Sequence, residues 1–126
     1  MDNKNLKSKL SRYIDAGFPI IYLNTFEDDK VDFIIKEVCF EKEVYEWNQT
    51  NGYIDFENKT PMMEDCTLEW MLDQLKIKEM MHNKIIVLKD ITSYLDDPKI
   101  VSKIKGIAKM INQGADSNVI IVSNTI

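Results

Sequence analysis

Asp90 closes the string IIVLKD at residues 85–90. An aspartate at the end of a buried strand is where nucleotide hydrolases hold a magnesium-bound water. The next residue is Ile91, where a hydrolase needs a carboxylate to polarise the attacking water, so a nucleotide bound here would lack its general base. Aspartate also ends strands as an ordinary turn former, and that plainer role carries more weight for Asp90. A second cluster lies in NTFEDDK, where Thr25 is followed by Glu27, Asp28 and Asp29. Glu27, Asp28 and Asp90 are thus the candidate metal ligands, and Thr25, Asp90 and Asn124 the candidate cofactor contacts. Asn124, just past NVIIVS, has the amide to orient a water or a phosphate, but asparagine is equally a turn residue.

The acidic cluster argues against phosphate. A phosphate-binding loop needs glycine, because bare backbone amides must approach the anion at a helix N-terminus, and NTFEDDK has none. Carboxylates in a first helical turn gain about 0.3–1 kcal/mol each from the helix dipole. The helix therefore fills its own anion site, and capping outweighs a bridging divalent metal as the reading of Glu27, Asp28 and Asp29. A triphosphate there would meet like-charge contacts of about 1–4 kcal/mol each, against about 8 kcal/mol for micromolar binding as a whole. The remaining chemistry-bearing residues have plain roles. His82 is the only histidine and falls between a helix and a strand, with no dyad partner in view. Cys39 and Cys66 lack CxxC or Cys/His spacing and read as structural thiols of a reducing compartment. Trp47, Trp70, Tyr45 and Tyr53 read as core or sheet-face aromatics, and Lys99, Lys103, Lys105 and Lys109 as the solvated face of a helix.

The elements that must position these groups follow from periodicity. Leu6, Leu10, Tyr13 and Ile14 predict a helix over about 5–16, stopped by Gly17. Phe18 to Leu23 is a continuous apolar run and predicts a central strand. Val31, Ile34, Ile35 and Val38 predict a helix over about 27–40, and EVYEW at 43–47 a strand. Asn51-Gly52 is a turn, after which residues 53–56 leave a hairpin open, and 57–64 is turn-like in composition. Leu68, Met71, Leu72 and Leu75 predict a helix over about 66–81, capped by Asp65 or Thr67. KIIVLKD at 84–90 is a second buried strand. Asp97-Pro98 then opens a helix whose stripe of Ile100, Val101, Ile104, Ile107, Ala108 and Ile111 ends near Gly114. NVIIVS at 118–123 is the last strand. Strands alternating with helices predict an α/β fold, a three-layer α/β/α sandwich with a mainly parallel sheet. Ligands of such sheets gather outside the carboxyl ends of the strands, which returns attention to Asn24-Thr25, Asp90 and Ser123-Asn124.

With 126 residues the chain has room for one core. Sixteen basic against 21 acidic side chains leave a net charge of −5, which repels a phosphate backbone or an anionic membrane, so neither nucleic acid nor membrane is expected as a partner. The first 13 residues have no apolar run and no stretch of 18 apolar residues occurs; a soluble, cytoplasmic protein is expected. Residues 84–126 carry 6 basic and 4 acidic groups, and residues 1–83 carry 10 and 17, an asymmetry that permits complementary docking.

Several strings, in order, resemble the N-terminal half of the AAA+ ATPases named after a hypothetical chloroplast open reading frame and found widely in bacteria. AGFPIIYLNTFEDDKV carries the resemblance at Thr25, Glu27, Asp28, Lys30 and Val31, and VYEWNQTNG carries it at Trp47 and Gly52. KIIVLKDITSYLDDPKIVSKIKGIAKMI and NVIIVSNTI continue it, so that nearly the whole chain is covered. The resemblance implies a RecA-like domain with degenerate P-loop topology, ahead of a complete AAA+ module that carries the Walker motifs. Neither GxxxxGK[ST] nor an Asp-Glu pair after a buried strand occurs in this chain. By resemblance, Asp90 and Asn124 only occupy the places of a Walker B aspartate and a sensor asparagine, and no catalytic residue carries over. ATP and magnesium would serve the full-length protein and no cofactor this domain. Its partners would be the C-terminal AAA+ module of the same chain, further copies through that module, and an unknown protein. The stop at Ile126, directly after a core strand, points to a fragment of a longer protein.

The expected function is therefore a non-catalytic domain for assembly, partner recognition or regulation of a catalytic half. The alternative from another class is a signalling receiver phosphorylated on Asp90; receivers, though, begin with their first strand and need a lysine after a fifth. A weak hydrolase would need a phosphate loop from a neighbouring chain.

Overall fold

Apolar runs too short for buried helices become strands, and the amphipathic segments between them become the crossovers that parallel pairing demands. The computed structural model describes residues 3–24, 28–77 and 81–123, with backbone alone at 3–4 and 28–29. Helix α1 (Asn3–Asp15) leads into β1 (Ile20–Asn24), α2 (Asp28–Val38) and β2 (Glu43–Asn48). Two short strands, β3 (Gly52–Asp55) and β4 (Pro61–Met63), precede α3 (Leu68–Leu75) and β5 (Lys84–Lys89). A 3₁₀ turn over Thr92–Asp96, α4 (Pro98–Asn112) and β6 (Ser117–Ser123) complete the described chain.

The sheet runs in the order β1-β6-β5-β2-β3-β4. Its first four strands are parallel; β3 pairs antiparallel with β2, and β4 antiparallel with β3. The interior strands β5 and β6 are buried almost end to end, as strands covered on both faces must be. Alternate side chains serve two cores. Ile21, Leu23, Ile85, Val87, Ile120 and Val122 pack with Leu10 of α1 and with Val31, Ile34 and Ile35 of α2. Trp47, Ile86, Leu88, Val119 and Ile121 pack with α3 and α4. Three layers, α/β/α, are the result.

The structure departs from the expected boundaries for local reasons. β1 begins at Ile20 rather than Phe18, because the Phe18 amide is spent on the carbonyl of Tyr13, closing the α1 terminus, and Pro19 has no amide to give. α3 ends at Leu75, where the amide of Lys76 bonds back to Asp73, instead of running to residue 81; Met81 is buried outside any helix, and 78–80 lie outside the described residues. Residues 48–64, open in the sequence, hold both antiparallel strands. β3 must open on Gly52, whose φ is +72°, and a Cβ there would lie 2.8 Å from the backbone oxygen of Met63. α4 starts as expected, with the Asp97 side chain accepting from the Lys99 amide at 2.9 Å. No helix among the described residues is long and apolar enough to cross a membrane.

Candidate functional site

The carboxyl ends of β1, β5 and β6 lie side by side in the order β1-β6-β5, which is where the sequence directs the search. Of the residues singled out there, Asp90 is described in full. It sits exposed one residue past β5, in the left-handed region at φ 59°, and its amide donates to the carbonyl of Val122 at 3.4 Å. That is turn geometry, which aspartate tolerates better than most residues. Ile91, beside it, is fully buried in the α3–α4 core. Thr25, Glu27 and Asn124 lie outside the described residues, and Asp28 is described by its backbone alone, at the first position of α2. Among the described residues no group of three or more His, Cys, Asp or Glu is placed to hold a metal.

Among the described residues, the strand ends bring together a network of four charges. Lys89, at the last position of β5, faces the α1–α2 side, as Ile85 and Val87 do before it. Its ammonium donates to Asp32 of α2 at 2.8 Å and lies 3.4 Å from Glu46 of β2. Lys59, in the β3–β4 turn with φ 57°, reaches the same carboxylates, at 2.7 Å from Glu46 and 3.0 Å from Asp32. Asn48 donates to the other Glu46 oxygen at 2.7 Å. The Lys59 ammonium also stands 3.8 Å from the centre of the buried Phe56 ring, a favourable cation–π position. Glu46 is only 3% exposed, so an unpaired carboxylate there would be strongly penalised.

Among the described residues, two carboxylates and two ammonium groups balance in formal charge, and each carboxylate is within 4 Å of both lysines. A metal would have to displace a lysine, and an incoming phosphate would meet Asp32 and Glu46. Sequence reading missed this network. Its one local hint is the lysine that closes the apolar run at 85–88.

A second concavity, of about 380 Å³, opens between the β2–β3 turn and the first turns of α3 and α4, lined among others by Trp47, Cys66, Thr67, Tyr94 and Asp97. Both helix starts facing it are capped internally, α3 by the Thr67 hydroxyl, which accepts from the Trp70 amide at 3.0 Å, and α4 by Asp97. Trp47 donates its indole N–H to the Cys66 carbonyl at 3.0 Å, and the Tyr94 hydroxyl bonds Gln49. Trp47, Tyr45 and Tyr53 are core and sheet-face aromatics, but Trp70 is 37% exposed on the outside of α3, against expectation. His82 is exposed between α3 and β5. Lys103 of α4 is tied to Asp73 of α3. Burial pushes the Cys39 thiol up to about 11, against a smaller opposing pull from Lys42, so it is a poor nucleophile.

Residues 6–126 match the family described as the SpoVK-like AAA ATPase, N-terminal domain. This chain belongs to that family. Three curated relatives are uncharacterized AAA domain-containing proteins ycf46. The Guillardia theta protein is 28% identical over 116 residues, covering 88% of this chain and 22% of the relative. That of Trieres chinensis is 27% identical, covering 88% and 23%, and that of Pyropia yezoensis 27% identical, covering 94% and 24%. The chain thus spans about a quarter of the length of these relatives. Among solved structures, a chain from the structure of Drosophila ORC bound to DNA superposes with a TM-score of 0.61 at 12% identity, covering 98% of this AAA ATPase N-terminal domain and 77% of that chain. At that identity the likeness speaks for the fold.

Proposed function

We propose that this domain is a non-catalytic scaffold of an AAA+ ATPase, serving assembly, partner recognition or regulation of a catalytic module that carries the ATP and magnesium chemistry. The observation that carries the reading is the network of Asp32, Glu46, Lys59 and Lys89, which puts two carboxylates beside the carboxyl end of β5, with both lysines already paired to them. The sequence adds that no GxxxxGK[ST] string is present. A net charge of −5 speaks against carrying DNA binding over from the Drosophila ORC chain to this one. The receiver alternative is disfavoured by strand order. A receiver seats its first strand between two others, in the order 2-1-3-4-5, whereas β1 here ends the sheet.

Titration calorimetry with magnesium-ATP tests the scaffold reading. The expected outcome is no binding tighter than about 10 μM, which corresponds to roughly 7 kcal/mol. Tighter binding, weakened by Asp90→Asn, would replace the scaffold with a nucleotide site.

A further inference from the structure

The two ends of the sheet are built differently. At one end β4 has three residues, begins with Pro61 and shifts register against β3 between Tyr53 and Ile54. Brevity, proline and irregular pairing are the devices by which proteins blunt a sheet edge. At the other end β1 has five residues, Ile20–Asn24, paired in unbroken register with β6, and it contains neither proline nor a charged residue. Among the described residues no strand lies on its outer side.

The hydrogen bonds say which groups face outward. The Val119 amide donates to the Pro19 carbonyl at 2.8 Å, so Pro19, and by alternation Ile21 and Leu23, turn their backbone groups toward β6. Ile20, Tyr22 and Asn24 turn theirs away from the sheet. Tyr22 is also 52% exposed, and Phe18, four residues before it, 49% exposed. Only an extended backbone satisfies such a row of alternating donors and acceptors.

We propose that the outer edge of β1 is a docking surface for β1 of a second copy of this chain, paired antiparallel about a two-fold axis at Tyr22. The strand is self-complementary in that arrangement. Tyr22 faces Tyr22, Ile20 faces Asn24, and the absence of charge over Ile20–Asn24 leaves no like-charge pair opposed. The two sheets become one, and the exposed Tyr22 rings meet as a cross-strand aromatic pair. This names a surface for the assembly role proposed above but stands on different observations. A monomer that binds no nucleotide would overturn the dimer and leave the scaffold reading intact.

Sedimentation equilibrium of the chain between about 1 and 300 μM decides it. The expected mass rises from 14.7 kDa toward that of a dimer, and hydrogen exchange slows at the amides of Ile20, Tyr22 and Asn24 as concentration rises. Tyr22→Lys sets like charges against each other at the axis and should return the monomer with an unchanged circular dichroism spectrum. Should that variant fold poorly, Asn24→Pro removes one outward donor at the strand's end and should weaken association at least tenfold. A monomer throughout the range overturns the proposal and leaves the edge open to a foreign strand. A dimer indifferent to both substitutions, with fast exchange at the three amides, overturns it too by placing the interface elsewhere.

Discussion

Lys59 is the residue on which the interior charge balance turns. It is 38% exposed, yet its ammonium is the nearer of the two cations to the Glu46 carboxylate, at 2.7 Å against 3.4 Å for Lys89. Lys59→Met keeps an aliphatic stem over the Phe56 ring and deletes only the charge, leaving two carboxylates to share one lysine. Removing one partner of a buried charge costs more than the intact pair contributes, because the survivor has lost its water and its counter-ion together. Urea unfolding should show Lys59→Met destabilised by about 1.5–3 kcal/mol. Adding Glu46→Gln restores charge neutrality among Asp32, Glu46, Lys59 and Lys89 and should recover at least half of the loss. A single variant as stable as the wild type, or a double variant no better than the single, would show that the network does not act through its balance.

Gly52 does the equivalent work for the hairpin that carries Lys59. A side chain there is obstructed by backbone, 2.8 Å from the oxygen of Met63 and 3.2 Å from the nitrogen of Asp65, so relief requires β4 to move. Gly17 has a similar φ, +77°, but nothing within 4 Å of the place a Cβ would take. Gly17→Ala therefore meets the left-handed strain alone, about 1–2 kcal/mol, and Gly52→Ala meets strain and collision. Thermal unfolding should show a loss of roughly 3–8 °C for Gly17→Ala and at least twice that for Gly52→Ala; equal losses would show that β4 yields freely. The same contrast explains what sequence reading reaches. The runs at 85–88 and 119–122 are wholly apolar, so the parallel strands and their helices announce themselves through period alone. β4 does not, since Pro61, Met62 and Met63 are all exposed and only backbone pairing makes them a strand. α3 stops with the last residue of its apolar stripe, Leu75, and short of the expected bound at 81, because Lys76 and Ile77 close its end by backbone bonds to Asp73 and Gln74. The charge network is illegible for another reason. Its members stand at 32, 46, 59 and 89, spacings that no helical or strand period relates, and only the pairing of β2 with β5 and the β3–β4 turn bring them together. Asp90 is legible at its strand end by type and place, but its left-handed turn geometry belongs to the fold around it.

At the scale of the whole molecule, two cores share one sheet, and alkaline titration tests whether they unfold as one. Cys39 is buried on the α1–α2 side, where loss of hydration raises its thiol from the ordinary 9.0 to about 11. Tyr53 packs against the α3–α4 side, where partial burial, with smaller contributions from Tyr45, Cys66 and nearby carboxylates, raises its phenol from 10.0 to about 12. Both groups are neutral when protonated, and folding favours that form. Their contribution is fully present below the unfolded values and is lost as pH rises through the folded ones. Stability should therefore fall between pH 9.0 and about 11 through Cys39, and between 10.0 and about 12 through Tyr53. Cys39→Ala removes the first loss and leaves the second. The telling probe is Trp47, in the core opposite Cys39, read by fluorescence with Trp70 replaced by Phe. In a cooperative molecule the urea midpoint reported by Trp47 loses part of its alkaline slope when Cys39 becomes Ala, although no atom near the indole has changed. If that midpoint ignores the substitution while circular dichroism follows it, the faces of the sheet melt separately and β2, β5 and β6 do not couple them.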